Sequence, residues 1–224
     1  MRTIESFFEP FPVLETERTL LRPLTYDDLD DMYSYCVVPA VSEFTTWDAH
    51  QSKEDTKAFL NFVMSRYETD LIGPWGIEDK HTKRLIGSCN YLGCDRDNRR
   101  VELGYVLSDQ FWKQDYMTEV VKRIIQFGFD EVGLERIQAR CLVKNTGSAK
   151  VMEKAGMQFE GVLRKYMKAK NELQDLKMYA IVKEDFLLVL SKEHIFDQKG
   201  RVSFIMLASH EFAYNPEFNM DDIQ

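Results

Sequence analysis

Between Val101 and Val143 the chain spells a strand, a helix and a second strand in close succession, and this unit constrains the fold more than any other stretch. Val101 to Leu107 is an apolar-rich run, and Val121, Ile124, Ile125 and Gly128 then recur at helical spacing between Thr118 and Phe129, with Gly133 as a stop. Ile137, Ala139, Cys141 and Val143 alternate with Gln138, Arg140, Leu142 and Lys144, which is strand periodicity. Two strands joined by a crossover helix lie parallel in one sheet.

The surrounding segments pair the other way. Trp75 to Glu78, Leu85 to Leu92 and Val101 to Leu107 are separated by two turn clusters, Asp79 to Lys83 and Asp95 to Arg100, and predict a three-stranded meander. Thr19 to Leu24 reads as a first strand, after which Thr25, Asp27 and Asp28 cap a helix reaching about Cys36. Ser52 opens a second helix, with Ala58, Phe59, Phe62, Val63 and Arg66 in its buried rhythm. A short helix from Thr146 to Ala155 and two strands, Met157 to Lys165 and Leu176 to Lys183, complete the order β-α-α-β-β-β-α-β-α-β-β. The expected class is α+β, with one parallel pair inside a mostly antiparallel sheet.

Composition narrows the partners. With 29 Lys and Arg against 37 Asp and Glu, the net charge is −8, which argues against nucleic acid as a partner and mildly favours a cationic one. The cysteines, Cys36, Cys89, Cys94 and Cys141, form no metal-ligand spacing, so they read as reduced and no metal is expected. Met1 to Val13 lacks the basic start and apolar run of a signal peptide, and the apolar stretches Phe186 to Leu190 and Phe204 to Ala208 are far too short to span a bilayer. A cytoplasmic protein without membrane contact is the expectation.

Two segments carry the chemistry. Trp112 to Glu119 places a helix start directly after a strand, where unpaired N–H groups and the helix dipole can hold a pyrophosphate. Asn145 to Ser148 supplies a polar start to the short helix, with a hydroxyl close to hand. Asp115 stands against this reading, because it brings a carboxylate to the phosphate position.

Taken in order, several pieces resemble the GNAT acetyltransferase superfamily, and within it the ribosomal-protein N-acetyltransferase (RimJ/RimL-like) branch. They are Glu17 to Leu24, Glu102-Leu103-Gly104-Tyr105, Tyr116-Met117-Thr118-Glu119, Asn145-x-x-Ser148, Glu153 to Met157, Phe159-Glu160-Gly161, Asp175 and Tyr179. The resemblance covers about Leu14 to Phe186. It implies a GNAT fold with a splayed parallel strand pair, helices on both faces of the sheet, and acetyl-CoA as cosubstrate. Residues 14–186 then form the acetyltransferase domain, with extensions over 1–13 and 187–224; in the latter, Val202, Phe204 and Met206 suggest an extra strand before a polar tail.

The same resemblance distributes roles. Main chain near Val106 and Leu107 would hold pantetheine, and the turn through Lys113, Gln114, Asp115, Tyr116, Met117 and Thr118 would take the pyrophosphate. Against the family's [QR]-x-x-G-x-[GA], this chain writes Trp112, Asp115 and Met117. Asn145 bonds pantetheine amides, caps its helix, or does both; Lys150 either reaches the adenosine phosphates or is solvated. Ser148 is the candidate proton donor to the leaving thiolate, in the absence of the Tyr that many members carry where this chain has Met152; its alternative is a backbone bond. Glu102 is the candidate base or the anchor of a neighbouring loop. A second base position, filled by Glu in some relatives, is Met167. Tyr33, Phe44 and Trp47 fall where the acceptor pocket is covered.

The function implied is acetyl transfer to a primary amine, on a protein N-terminus or a small polyamine-like molecule. Two alternatives remain: a GNAT-fold module that binds without catalysing, suggested by Asp115 and Met167, and an aminoglycoside-modifying enzyme. Dimers are common among similar proteins, and the segment after Phe186 is a candidate to mediate one.

Overall fold

The computed structural model describes residues 3–69 and 72–188. The chain divides into one compact unit, Met1–Asp185, and a second, Phe186–Gln224. The strand expected through Val202, Phe204 and Met206, and the polar tail, lie outside the described residues.

The first unit is built on an eight-stranded sheet of order β1-β2-β3-β4-β5-β6-β8-β7. Its strands are β1 (Leu14–Glu15), β2 (Thr19–Pro23), β3 (Trp75–Asp79), β4 (Leu85–Asp95), β5 (Arg100–Leu107), β6 (Arg136–Leu142), β7 (Gln158–Ala169) and β8 (Glu172–Val182). Every neighbouring pair is antiparallel except β5 with β6. The helices are α1 (Leu29–Cys36), α2 (Pro39–Ser42), α3 (Lys53–Thr69), α4 (Tyr116–Phe127) and α5 (Thr146–Lys154). The expected mixed sheet with helices is therefore present. Sequence periodicity misses β1 and α2, each too short to show a period, and also the full length of the last hairpin. That hairpin turns at Lys170 and Asn171, both left-handed, so β8 begins at Glu172 rather than Leu176. Its outer end is exposed, and an exposed strand needs no apolar alternation.

Each face of the sheet has its own core. On one, Trp75 collects Phe8, Tyr91 and Phe127 at centroid distances of 5.3, 5.5 and 5.9 Å, and the Tyr91 hydroxyl donates to the Ile124 carbonyl at 2.7 Å, fixing α4 to β4. Phe8 and Ile4 are buried, so the segment 3–13 contributes to this core instead of trailing from it. On the other face, Leu24, Met32, Tyr35, Leu60 and Val63 join α1 and α3 to the sheet, with Val106 of β5 packed against them.

The seam between β5 and β6 positions the site. Parallel pairing runs from Arg100↔Arg136 to Leu103↔Ala139 and stops. Beyond that rung β5 stays with β4 as far as Leu107, and β6 stays with β8 as far as Leu142. The two strands thus part, leaving a gap between Gly104–Leu107 and Arg140–Leu142.

Candidate active site

Register decides which main-chain groups line the gap. Ser108 N–H donates to the Ile86 carbonyl at 2.8 Å, so Ser108 and Ile86 form a hydrogen-bonded pair. Alternation along an antiparallel ladder makes Val106 with Ser88, and Gly104 with Asn90, bonded pairs too. Tyr105 and Leu107 therefore turn their main chain toward the gap. This corrects half of the pantetheine expectation: Leu107 faces the gap, whereas Val106 bonds β4 and packs its side chain against the α1/α3 core. The Leu107 carbonyl accepts the Trp112 indole N–H at 2.9 Å, which leaves its N–H on the gap side.

The strand leads into a turn that concentrates donors. Lys113 (φ 60°) and Asp115 (φ 61°) are both left-handed, and Asp115 is the N-cap of α4. The helix ladder begins with Glu119 N–H to the Asp115 carbonyl at 3.0 Å. Among the described residues, the main-chain N–H groups from Lys113 to Thr118 find no acceptor, and alternating left- and right-handed residues curl such groups into an anion-binding nest. Asp115 thus adopts the left-handed shape for which glycine is the default residue, a conformation aspartate tolerates better than most.

Its carboxylate is also compensated. Lys154, in the last turn of α5, pairs with Asp115 at 2.5 Å and is the main cause that lowers the carboxyl pKa below its ordinary value. The charge expected to repel phosphates is therefore met by a cation from the neighbouring helix. Tyr116 and Met117 offer only main chain here. The Tyr116 hydroxyl donates to Asp79 at 3.0 Å, and Met117 is buried in the core. Arg18 braces the turn from β2's side: it donates to the Gln114 carbonyl at 3.0 Å, pairs with Glu119 at 2.7 Å and stacks over Tyr116 at 4.0 Å. Lys113 is exposed beside the nest, and Lys150 is exposed on α5 without an ion pair among the described residues.

At the other bank of the gap, Asn145 caps α5, its Oδ1 accepting the Ser148 N–H at 2.9 Å. Capping satisfies its carbonyl oxygen and leaves its amide N–H groups. Ser148 Oγ lies 2.9 Å from the Tyr105 hydroxyl, which also reaches the Ser148 carbonyl at 3.1 Å. Burial pushes the Cys141 thiol up to about 11, with Ser148 acting weakly the other way. Burial likewise raises the Tyr105 phenol, so hydroxyl, phenol and thiol all keep their protons near neutrality. Met152, at the position of the absent Tyr, is fully buried.

Glu102 occupies the opposite face of β5, away from Ser148. Arg140 Nε donates to it at 2.7 Å, Gln138 approaches at 3.5 Å, and its side chain is only 14% exposed. Glu102 and Ser148 therefore flank the parted seam from its two sides rather than forming one cluster. Tyr105, Lys154 and Arg140 are the residues that sequence reasoning missed. Strand alternation already put Tyr105 on the face of Cys141, whereas no local signal links Lys154 to Asp115, 39 positions apart.

Among the described residues, no helix is long and apolar enough to cross a membrane, and no group of His, Cys, Asp or Glu is arranged to hold a metal. Known proteins share this architecture. A family model described as an acetyltransferase (GNAT) domain matches residues 18–158. The uncharacterized N-acetyltransferase YoaA of Bacillus subtilis (strain 168) is 32% identical over 173 residues, spanning 77% of this chain and 98% of that one. A GNAT-family acetyltransferase structure from Bacillus anthracis superposes with a TM-score of 0.69 at 27% identity, covering 77% of this chain and 99% of the other. RimL, a ribosomal L7/L12 alpha-N-protein acetyltransferase in complex with coenzyme A, superposes at 0.68 with 16% identity, covering 76% and 98%, a likeness of fold alone.

Proposed function

Because the chain belongs to the GNAT acetyltransferase family, we propose that its parted seam binds acetyl-CoA and that it carries the acetyl group to a primary amine. One observation carries this reading: unpaired main chain on β5 runs straight into the nest at the start of α4. Tyr105 and Leu107 would bond the pantetheine, and their N–H groups are the candidates to polarise the thioester carbonyl. Lys113 to Thr118 would take the pyrophosphate through main chain, with Lys113 adding charge. Asn145 would offer its amide to the same arm, and Lys150 would meet the adenosine end.

Acetyl-CoA supplies an activated acyl group; the residues around the gap must position it and manage two protons. A neutral amine forms the C–N bond as the C–S bond breaks, so one proton leaves nitrogen and one is delivered to sulfur. Ser148 is the proposed donor to sulfur, with the Tyr105 hydroxyl orienting it and resupplying the proton. Glu102 is the proposed acceptor from the amine, directly or through water, on the opposite face. The RimL-like branch is the favoured subgroup, on the Asn145-x-x-Ser148 pattern.

Calorimetric titration with acetyl-CoA, on the unmodified protein and on Asp115→Gly, tests the reading. Saturable binding by both is expected. Binding by the glycine variant alone would mean that the turn is disabled, and a binding module without catalysis would become the better account.

A further inference from the structure

The face of the seam opposite Ser148 carries a second arrangement that the transfer chemistry alone does not require. Arg140 is the first residue of β6 past the last parallel rung, Leu103↔Ala139, so it stands where the gap opens. Its Nε is bound to Glu102, and its guanidinium carbon lies 5.2 Å from the Tyr166 ring centroid. Those two contacts hold the planar fork in place, while its terminal nitrogens take no hydrogen-bond partner among the described residues. The side chain is 26% exposed. A fixed guanidinium with its donor edge outward is the standard geometry for accepting a carboxylate in bidentate fashion.

The inference takes the amine to approach from this side. Helices α4 and α5 close the other face, through Tyr91 to Ile124 and Tyr179 to Glu153. On the Glu102 face an acceptor meets Glu102 and Arg140 together, a carboxylate next to a guanidinium. That pair complements a molecule with an amino group and a carboxylate on the same carbon.

We infer that Arg140 is a specificity residue for the acceptor's anionic group, and that the acceptor is a small α-amino carboxylate rather than a polyamine. The inference rests on the transferase reading above. Glu102 faces the amino group, which attacks after giving one proton to solvent and passes its second to Glu102, and Arg140 holds the carboxylate end, which sets the nitrogen toward the gap. A polyamine would bring a second cation against Arg140, an unfavourable contact on a partly desolvated face.

The test uses matched pairs that differ only in the carboxylate: arginine and agmatine, lysine and cadaverine, phenylalanine and phenethylamine. Release of free thiol from acetyl-CoA is followed with the full chain and with Arg140→Gln and Arg140→Lys, alongside calorimetric acetyl-CoA affinity. The expected result is at least a tenfold higher kcat/KM for the amino-acid member of an accepted pair. Arg140→Gln should erase that preference, bringing the kcat/KM ratio within each pair close to one; both members of a pair meet the same altered Glu102, so the ratio isolates the carboxylate contact. Arg140→Lys should restore part of it, and acetyl-CoA affinity should stay unchanged in both variants. Equal or better use of the decarboxylated amines, or a preference that survives Arg140→Gln, overturns the inference. Bound acetyl-CoA with no transfer to any member of the pairs overturns it as well while leaving the cofactor site standing. Failure to bind acetyl-CoA at all overturns the transferase reading itself.

Discussion

The seam between β5 and β6 has two halves that are built by opposite rules. From Val101 to Leu103 it is zipped: the strands share a parallel ladder, and Val101, Leu103, Ile137 and Ala139 are all nearly inaccessible. From Gly104 to Leu107 it is open, and polar side chains flank it in two separate pairs, Tyr105 with Ser148 on one face and Glu102 with Arg140 on the other. The zipped half contributes stability through buried apolar area. The open half leaves part of its main chain without a protein partner, an arrangement that costs stability unless solvent or a ligand completes it. Structure and chemistry are thus divided along a single pair of strands, within a few residues of each other.

That division is exposed to experiment. The largest effect is expected in the zipped half: Leu103→Ala should lower unfolding free energy by about 3 kcal/mol, read by denaturant titration, while acetyl-CoA affinity of the folded fraction changes little. A large loss of affinity would show that the two halves are not separable. In the open half, Ser148→Ala should reduce kcat about 100-fold and Tyr105→Phe about tenfold, with melting temperature preserved. Their double variant should be no slower than Ser148→Ala, since the two hydroxyls act as one unit; fully multiplicative losses would break the pairing.

Acid should act at the brace between the halves' supporting elements. Burial raises the Glu119 carboxyl, but hydrogen bonds from Thr16 and from Arg18's N–H and guanidinium outweigh it and hold it below its ordinary value of 4.5. A lowered carboxyl stabilises the fold above its unfolded pKa, and that stability is lost as pH falls through the folded one. Stability should therefore decline below about pH 4.5, and Glu119→Gln should flatten this part of the decline while costing roughly 1–2 kcal/mol at neutral pH. An unchanged acid profile in the variant would assign the decline elsewhere. The smallest effect belongs to Lys154→Ala, which uncovers Asp115 and should weaken acetyl-CoA binding by roughly two- to fivefold, most visibly at low salt.

Much of this was legible in the residues. Alternation and helical spacing give the strand–helix–strand unit, and a parallel pair follows from it. Ordered motifs then place the nest at Trp112 to Thr118 and the cap at Asn145. What escaped depends on contacts between distant residues or on register. Val106 and Leu107 cannot be told apart until the β4 ladder fixes which main chain faces the gap. Asp115 looks like an obstacle until Lys154 is beside it. Glu102 and Ser148 both read as site residues, yet only the pleat shows that they lie on opposite faces.

The left-handed turn before α4 has a thermodynamic side as well. Where the related pattern has a glycine, this chain commits Asp115, and it adds Lys113 in the same conformation. Each residue carries some backbone strain, but each also removes freedom that glycine would have to surrender on ordering. Such a turn meets its ligand already shaped, so less of the binding free energy is consumed in arranging the donors. Asp115→Gly therefore sets relief of strain against loss of pre-organisation, and the balance should appear in the entropy of binding more clearly than in the affinity.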